Sequence, residues 1–295
     1  MMGDFRVVVI VSPDISDIYF ANYLMDHLNV VAVVVEQQRQ AITSPRWKKA
    51  LGMLSRPVML FNKVAELLLA QYRRLFSLYD KPENRADFGE MGRNLVPRGD
   101  CEVLYTTGVN AINSPEYVEW VRARRPDVIA VCGASIFKEP LIDVPREGVL
   151  NLHGGLSQRY RGLFTTDWAV HNEEPEYVGG TVHYVNPGID EGDIVFQARP
   201  HIVAGDNPNS LYVKVVNLGV QMMVSAIDMI EQGTIKSSPL PRLGTLYLGS
   251  QFDARRREIT WKKLESGVLI DYLNNKKVRD KPVDSLIINE FKLGI

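Results

Sequence analysis

Asn151 and His153 stand two residues apart at the end of a short apolar run, Val149 to Leu152, and two glycines, Gly154 and Gly155, follow at once. Side chains alternate along a strand, so the amide and the imidazole are expected on one face, delivered into a glycine turn. About forty residues later the segment Gly188-Ile189-Asp190-Glu191-Gly192-Asp193 brings a carboxylate back in a glycine-bounded turn. Taken singly, each residue has an ordinary explanation. Asn and Asp stabilise turns through their own side chains, and a strand-end His is commonly packed or hydrogen-bonded. Taken together, an amide, an imidazole and a carboxylate able to meet in space form a candidate acyl-transfer site.

Positioning such a set requires strands whose carboxyl ends meet. Arg6 to Val11 is a continuous β-branched run, of the kind found in parallel strands buried on both faces. Ser12-Pro13-Asp14-Ile15-Ser16-Asp17 leads into a helix reaching about Leu28, with Asp14 or Ser16 as cap, and Val30 to Val35 follows as a second strand. Cys101 to Tyr105 and Asp127 to Cys132 read as further strands. Ser114-Pro115-Glu116 between them opens a helix running to Arg125, with a cap, a first-turn proline and a first-turn acid. A short helix is expected from Thr165 to Asn172. Val178 to Val185 and Asp193 to Val203 alternate as an antiparallel pair flanking the Asp190 turn. Asn207-Pro208-Asn209-Ser210 starts a long helix to about Gln232, striped with Leu211, Val215, Leu218, Met222, Ile227 and Ile230, and one short helix is expected between Trp261 and Leu273. Strands alternating with helices through short connections predict an α/β fold, Rossmann-like and doubly wound, on a mostly parallel sheet.

The motif Asn151-Leu152-His153, followed by Leu156, Tyr160-Arg161-Gly162, Thr181-Val182-His183 and Gly188-Ile189-Asp190-Glu191-Gly192, resembles the folate-dependent formyltransferases. That family includes glycinamide ribonucleotide, methionyl-tRNA and sugar N-formyltransferases. The resemblance covers residues 101–205 well, the first strand and helix loosely, and the remainder hardly at all. It implies transfer of the formyl group from N10 of 10-formyltetrahydrofolate to an amine, with Asn151, His153 and Asp190 catalytic and no metal. It implies a folate site lined by Ser135, Ile136, Phe137 and Lys138, after the Asp127–Cys132 strand, together with Gly188 and Ile189. Arg161 is expected to order its loop or to meet folate, and His183 to be structural or catalytic.

Three departures bear on the acceptor. Relatives in the purine pathway carry a glycine-rich phosphate loop after the first strand, where this chain has Ser12-Pro13-Asp14, so a phosphate cradle is not expected there. Gly154-Gly155 stand where relatives usually have Pro-Ser, which implies a different acceptor. The stretch after Gly233 is much smaller than the β-barrel domain that methionyl-tRNA formyltransferases use for tRNA. A small amine is the expected acceptor, with a nucleotide-linked amino sugar first and a hydroxyornithine-type siderophore precursor second. The alternatives are hydrolysis of formyltetrahydrofolate and a non-catalytic folate or nucleotide binder.

Composition sets the outer bounds. The 295 residues, 45% of them apolar, can bury a sizeable core, expected as a catalytic body over residues 1–235 and an extension over 236–295. A net charge of −1 gives no overall attraction to nucleic acid or an anionic membrane. Residues 46–100 hold eleven Lys or Arg against six Asp or Glu. Together with helical spacing up to Tyr79, this predicts a basic helical insertion over about 45–100. Arg73 and Arg74 there are candidates to meet an anionic substrate, and residues 80–100 are expected to form a mobile loop. Cys101 and Cys132 read as reduced thiols, and the five histidines lack zinc-ligand spacing. With no leader or membrane-length apolar run read in the sequence, a cytoplasmic location is expected, while oligomeric state stays open.

Overall fold

The computed structural model describes residues 5–37 and 81–292. The chain opens with β1 (Val7–Val11), α1 (Ile15–His27) and β2 (Val30–Val35). It continues through α2 (Gly89–Arg93), β3 (Glu102–Tyr105), α3 (Pro115–Ala123), β4 (Val128–Cys132), α4 (Glu139–Ile142) and β5 (Val149–His153). These are followed by β6 (Tyr160–Gly162), α5 (Thr165–His171), β7 (Gly180–Tyr184), β8 (Ile194–Ala198) and α6 (Pro208–Glu231). β9 (Thr245–Tyr247), α7 (Ala254–Glu265), α8 (Val268–Asn274) and α9 (Lys276–Asp284) complete it.

Seven strands form one sheet in the order β3-β2-β1-β4-β5-β7-β8. The first five run parallel, while β7 is antiparallel to both β5 and β8. Strand alternation sorts the core onto two faces. Val7, Val9, Val11, Ala130, Leu150 and Leu152 pack with Phe20 and Leu24 of α1 and with Val220, Met222 and Met223 of α6. Val8, Ile10, Ile129, Val131 and Val149 pack on the other side with Tyr117, Val118 and Val121 of α3 and with Leu141 of α4. Helices therefore cover both faces, which is the doubly wound α/β arrangement expected from the sequence. The order turns back on itself between β1 and β4, and polar groups gather at the carboxyl ends of the strands there.

The 24-residue α6 is held at its start by Asn207, whose side chain accepts from the backbone of Asn209 and Ser210 while Ser210 answers Asn207. By length and apolarity it could cross a membrane. Its Val215, Val220, Met222, Met223, Ala226 and Ile227 are instead buried against the sheet. Two expected caps work differently. Asp14 sits at the start of α1 without a side-chain capping bond, and the Ser114 hydroxyl donates backwards to Ala111 O, 2.6 Å away.

The expected basic helices and Arg73 and Arg74 lie outside the described residues. The expected mobile loop over 80–100 is in its described part a pinned segment. Asn22 Nδ2 donates to Met91 O and Asn94 O at 2.7 and 2.8 Å, its Oδ1 accepts from Val96 N, and Phe88 is buried. Glycines and prolines end regular structure there without freeing the chain, because a buried asparagine on α1 satisfies the turn's backbone.

After Gly233 the chain returns to the body. β9 pairs in parallel with β6, Tyr160 opposite Thr245 and Gly162 opposite Tyr247. The single helix expected between Trp261 and Leu273 is two, parted at Gly267, where φ is +99°. Phe252, Leu269 and Tyr272 share a core with Tyr160, Trp168, Leu211 and Val215. Residues from both sides of position 235 thus build one apolar cluster.

Candidate active site

Asn151 and His153 leave β5 on the same side, opposite His183 and Thr181 of β7. The turn between β7 and β8 carries Asp190 back over them. Its carboxylate lies 3.5 Å from His153 Nδ1 through Oδ2 and 3.6 Å from His183 Nε2 through Oδ1. The expected trio therefore converges, and His183 joins it as a fourth member.

Hydrogen-bond partners fix the protons. His153 Nε2 lies 2.9 Å from Tyr160 O and His183 Nδ1 lies 2.8 Å from Tyr184 O. A carbonyl only accepts, so both nitrogens carry hydrogen. Asn151 Nδ2 lies 3.2 Å from His183 Nε2, the same ring nitrogen that faces Asp190 Oδ1. His153 Nδ1 faces the Asp190 carboxylate. Asn151 keeps its other amide hydrogen for the cleft.

Asp190 is mostly buried, and burial alone would raise its pKa. The His153 and His183 rings and the backbone N–H of Gly162, 2.8 Å from Oδ2, outweigh that and hold the carboxyl far below the usual carboxylate range. It is a permanent anion at neutral pH. The backbone supports this placement: Asp190 has φ +52°, a left-handed conformation that short polar side chains tolerate better than most. Arg161, itself buried, donates from Nε to Ile189 O at 3.0 Å and from Nη2 to Glu191 at 2.5 Å, so it grips the residues on either side of Asp190. Gly162 next to it has φ +85°, and a Cβ there would stand 2.2 Å from Tyr247 O. Only glycine lets β6 present its N–H to Asp190 while pairing with β9.

These groups form part of the lining of a cleft of about 680 Å³. That volume lies in the range of small-molecule sites. Ser135, Ile136 and Phe137 line it on one side, Gly188 and Ile189 on another, so five of the six expected folate-site residues meet there. Lys138 is not among the lining residues; its N–H donates to Asn113 Oδ1 at 2.8 Å as α4 begins. The Ser135–Phe137 loop is splinted from outside. Glu36 Oε2 accepts from Ser135 N at 2.7 Å, Ser135 Oγ accepts from Asn110 N at 3.0 Å, and Asn113 Nδ2 donates to Ile136 O at 3.0 Å. Exposed Ile136, with Val185 and Ile189, gives apolar surface beside backbone polar edges, which suits a flat heterocycle with donors and acceptors on its rim.

A further part of the lining escaped the sequence reading. Leu163, Phe164, Thr165, Thr166 and Asp167 form it together with Tyr247, Leu248 and Arg257. Its register depends on pairing Arg161 with Leu246, and no local pattern announces a contact across that separation. Trp168 stacks on Tyr247 with ring centroids 4.5 Å apart, backing the wall with aromatic packing.

Residues 87–227 match the sequence family described as formyl transferase. A methionyl-tRNA formyltransferase of Acetivibrio thermocellus is 29% identical over 187 residues, covering 62% of this chain and 58% of that enzyme. A sugar N-formyltransferase from Shewanella sp FDAARGOS_354 shares the fold with a TM-score of 0.52 at 15% identity, over 88% of this chain and 87% of its own. An N-formyltransferase from Helicobacter canadensis, solved with folinic acid and dTDP-3-aminofucose, has a TM-score of 0.51 at 13% identity, over 87% of this chain and 80% of its own. The chain thus spans little more than half the length of the Acetivibrio thermocellus relative and most of the length of these two structures.

Proposed function

Since this chain belongs to the formyl transferase family, we propose that it moves the formyl group of 10-formyltetrahydrofolate to the amine of a small molecule, a nucleotide-linked amino sugar in the first instance. One observation carries the reading: Asn151, His153 and Asp190 converge in a cleft of small-molecule size. In this reading the acceptor amine adds to the formyl carbon and the carbonyl oxygen becomes an oxyanion. The spare amide hydrogen of Asn151 donates to it, contributing on the order of 3 kcal/mol, and a positive charge on the adjacent His153 ring stabilises it through space. The amine loses one proton as it attacks, and N10 gains one as its bond to the formyl carbon breaks. Asp190, kept ionised, accepts the first directly or through water and keeps His153 charged. His183 lies against Asn151 and holds its amide in place.

The amino-sugar reading is supported by the similarity of fold to the sugar N-formyltransferases across most of the chain. The strand end after β1 supports it too. Ser12 Oγ donates to the buried Asp17 at 2.6 Å there, so a carboxylate occupies a position unsuited to a phosphate. Methionyl-tRNA remains the competing acceptor that the sequence relatives name. The test incubates the protein with 10-formyltetrahydrofolate and dTDP- or UDP-linked amino sugars, a hydroxyornithine, methionyl-tRNA, or no amine. Formylation of an amino sugar is expected. Formylation of methionyl-tRNA alone would replace the acceptor, deformylation without any amine would make the protein a hydrolase, and binding without turnover would remove the catalytic reading.

A further inference from the structure

The cleft holds polar groups that the reaction above does not use. Asp167 lines the cleft from the first turn of α5, with the charge of Arg257 acting on its carboxyl. Desolvation pushes its carboxyl up to about 6, with Arg257 and its own backbone amide opposing. Thr166 beside it is buried, and its hydroxyl has no hydrogen-bond partner. Arg257 of α7 lines the same cleft, its guanidinium 6.0 Å from the Phe252 ring, and it is the one Lys or Arg among the described lining residues. A folded protein rarely leaves a carboxyl this desolvated beside a hydroxyl with no hydrogen-bond partner, because both are destabilising. A ligand would supply the missing bonds.

We propose that Thr166, Asp167 and Arg257 form the acceptor's binding subsite, Asp167 and Thr166 bonding to hydroxyl donors and Arg257 to a diphosphate. The proposal rests on the formyl-transfer reading and deepens it by naming who meets the acceptor. A planar guanidinium matches phosphate oxygens in a bidentate fork, and an acid beside it rejects a second phosphate while accepting from neutral hydroxyls. The ligand class that offers both, an anionic bridge next to a hydroxylated ring, is a nucleoside diphosphate sugar. An amino-acid acceptor would present the same wall with an ammonium and a carboxylate instead, which makes it the natural alternative outcome.

The test uses the full chain and three probes in isothermal titration: dTDP, ornithine and folinic acid. The wild type is expected to bind dTDP, and Arg257→Ala is expected to weaken that binding at least tenfold while changing folinic acid affinity less than twofold. With a formylated amino sugar in hand, Asp167→Asn is expected to raise the acceptor KM about tenfold, the loss falling on KM rather than kcat. Arg257→Gln repeats the measurement if Arg257→Ala melts early. Failure of the wild type to bind dTDP while folinic acid binds overturns the subsite, as does tenfold loss of ornithine binding with dTDP unaffected, or wild-type affinities in both variants. Sound dTDP binding with no formyl transfer to any amine would instead strike at the activity and leave the subsite standing.

Discussion

At Asp190 three donors and a left-handed backbone meet on one carboxylate, and the chemistry is decided within a few ångströms. Asp190→Asn removes the anion but keeps the shape. Turnover is expected to fall by a factor of about a hundred or more while folinic acid affinity changes little, and near-normal turnover in a single-turnover assay would refute the proton relay. Gly155 offers a sharper test of the imidazole. A Cβ there would stand 2.7 Å from His153 Nε2 and 2.8 Å from Tyr160 O, inside the hydrogen bond that orients the ring. Gly155→Ala should therefore lower kcat at least tenfold with folate binding retained; an unchanged kcat would show that the ring does not need that bond. Much of this was legible in the sequence, because Asn151, His153 and Asp190 keep their spacing and glycine flanks. His183 was less so. Its role comes from register, Asn151 lying opposite it across the β5–β7 pair, and register is not written in a five-residue strand.

Elements that carry their own signals came through clearly. β1 and β4 are uninterrupted apolar runs, and α6 begins with a cap that the sequence displays. Asn207→Ala, which removes acceptors for Asn209 and Ser210, is expected to destabilise the protein by about 1 kcal/mol in urea denaturation; no change would mean water replaces the cap. The Asp190 turn depends instead on Arg161, whose bonds reach Ile189 and Glu191. Arg161→Ala leaves Glu191 and the Ile189 carbonyl without it. A loss of about 1–3 kcal/mol and a fall in kcat are expected together, and a variant destabilised but fully active would show that the turn holds itself. Elements that depend on distant partners stayed hidden. β6 and β9 have three residues each, too few to show alternation, and Gly267 divides a helical pattern that reads as continuous.

The molecule as a whole keeps a second buried acid beneath its strand ends. Asp17 accepts from Ser12 Oγ at 2.6 Å, Ser16 Oγ at 3.0 Å and Cys132 Sγ at 3.4 Å, and Tyr212 donates to Ser16 at 3.0 Å. Desolvation outweighs the donors and pushes its carboxyl up to about 6 from 3.8. The native state therefore holds this proton more tightly than the unfolded chain. The associated stability is fully present below about pH 4 and is lost as pH rises through about 6, an effect on the order of 3 kcal/mol. Asp190 acts in the opposite sense. Its depressed pKa contributes stability above the usual carboxylate range, lost only in strong acid. Asp17→Asn should flatten the fall in melting temperature between pH 4.5 and 8; an identical slope in wild type and variant would assign the fall to another group. Such coupling, like the shared core of Trp168, Leu211, Phe252 and Tyr272, belongs to the assembled chain and has no trace in any one segment.

The pairing of β6 with β9 also imposes an order of events during synthesis. Asn151, His153 and the Ser135–Phe137 loop need only strands that emerge first, whereas the strip of Tyr247, Leu248 and Arg257 emerges later. A ribosome-bound fragment halted before Thr245 would present Gly162 and Trp168 without their partners. If the proposed subsites hold, such a fragment is expected to bind folinic acid while failing to bind dTDP.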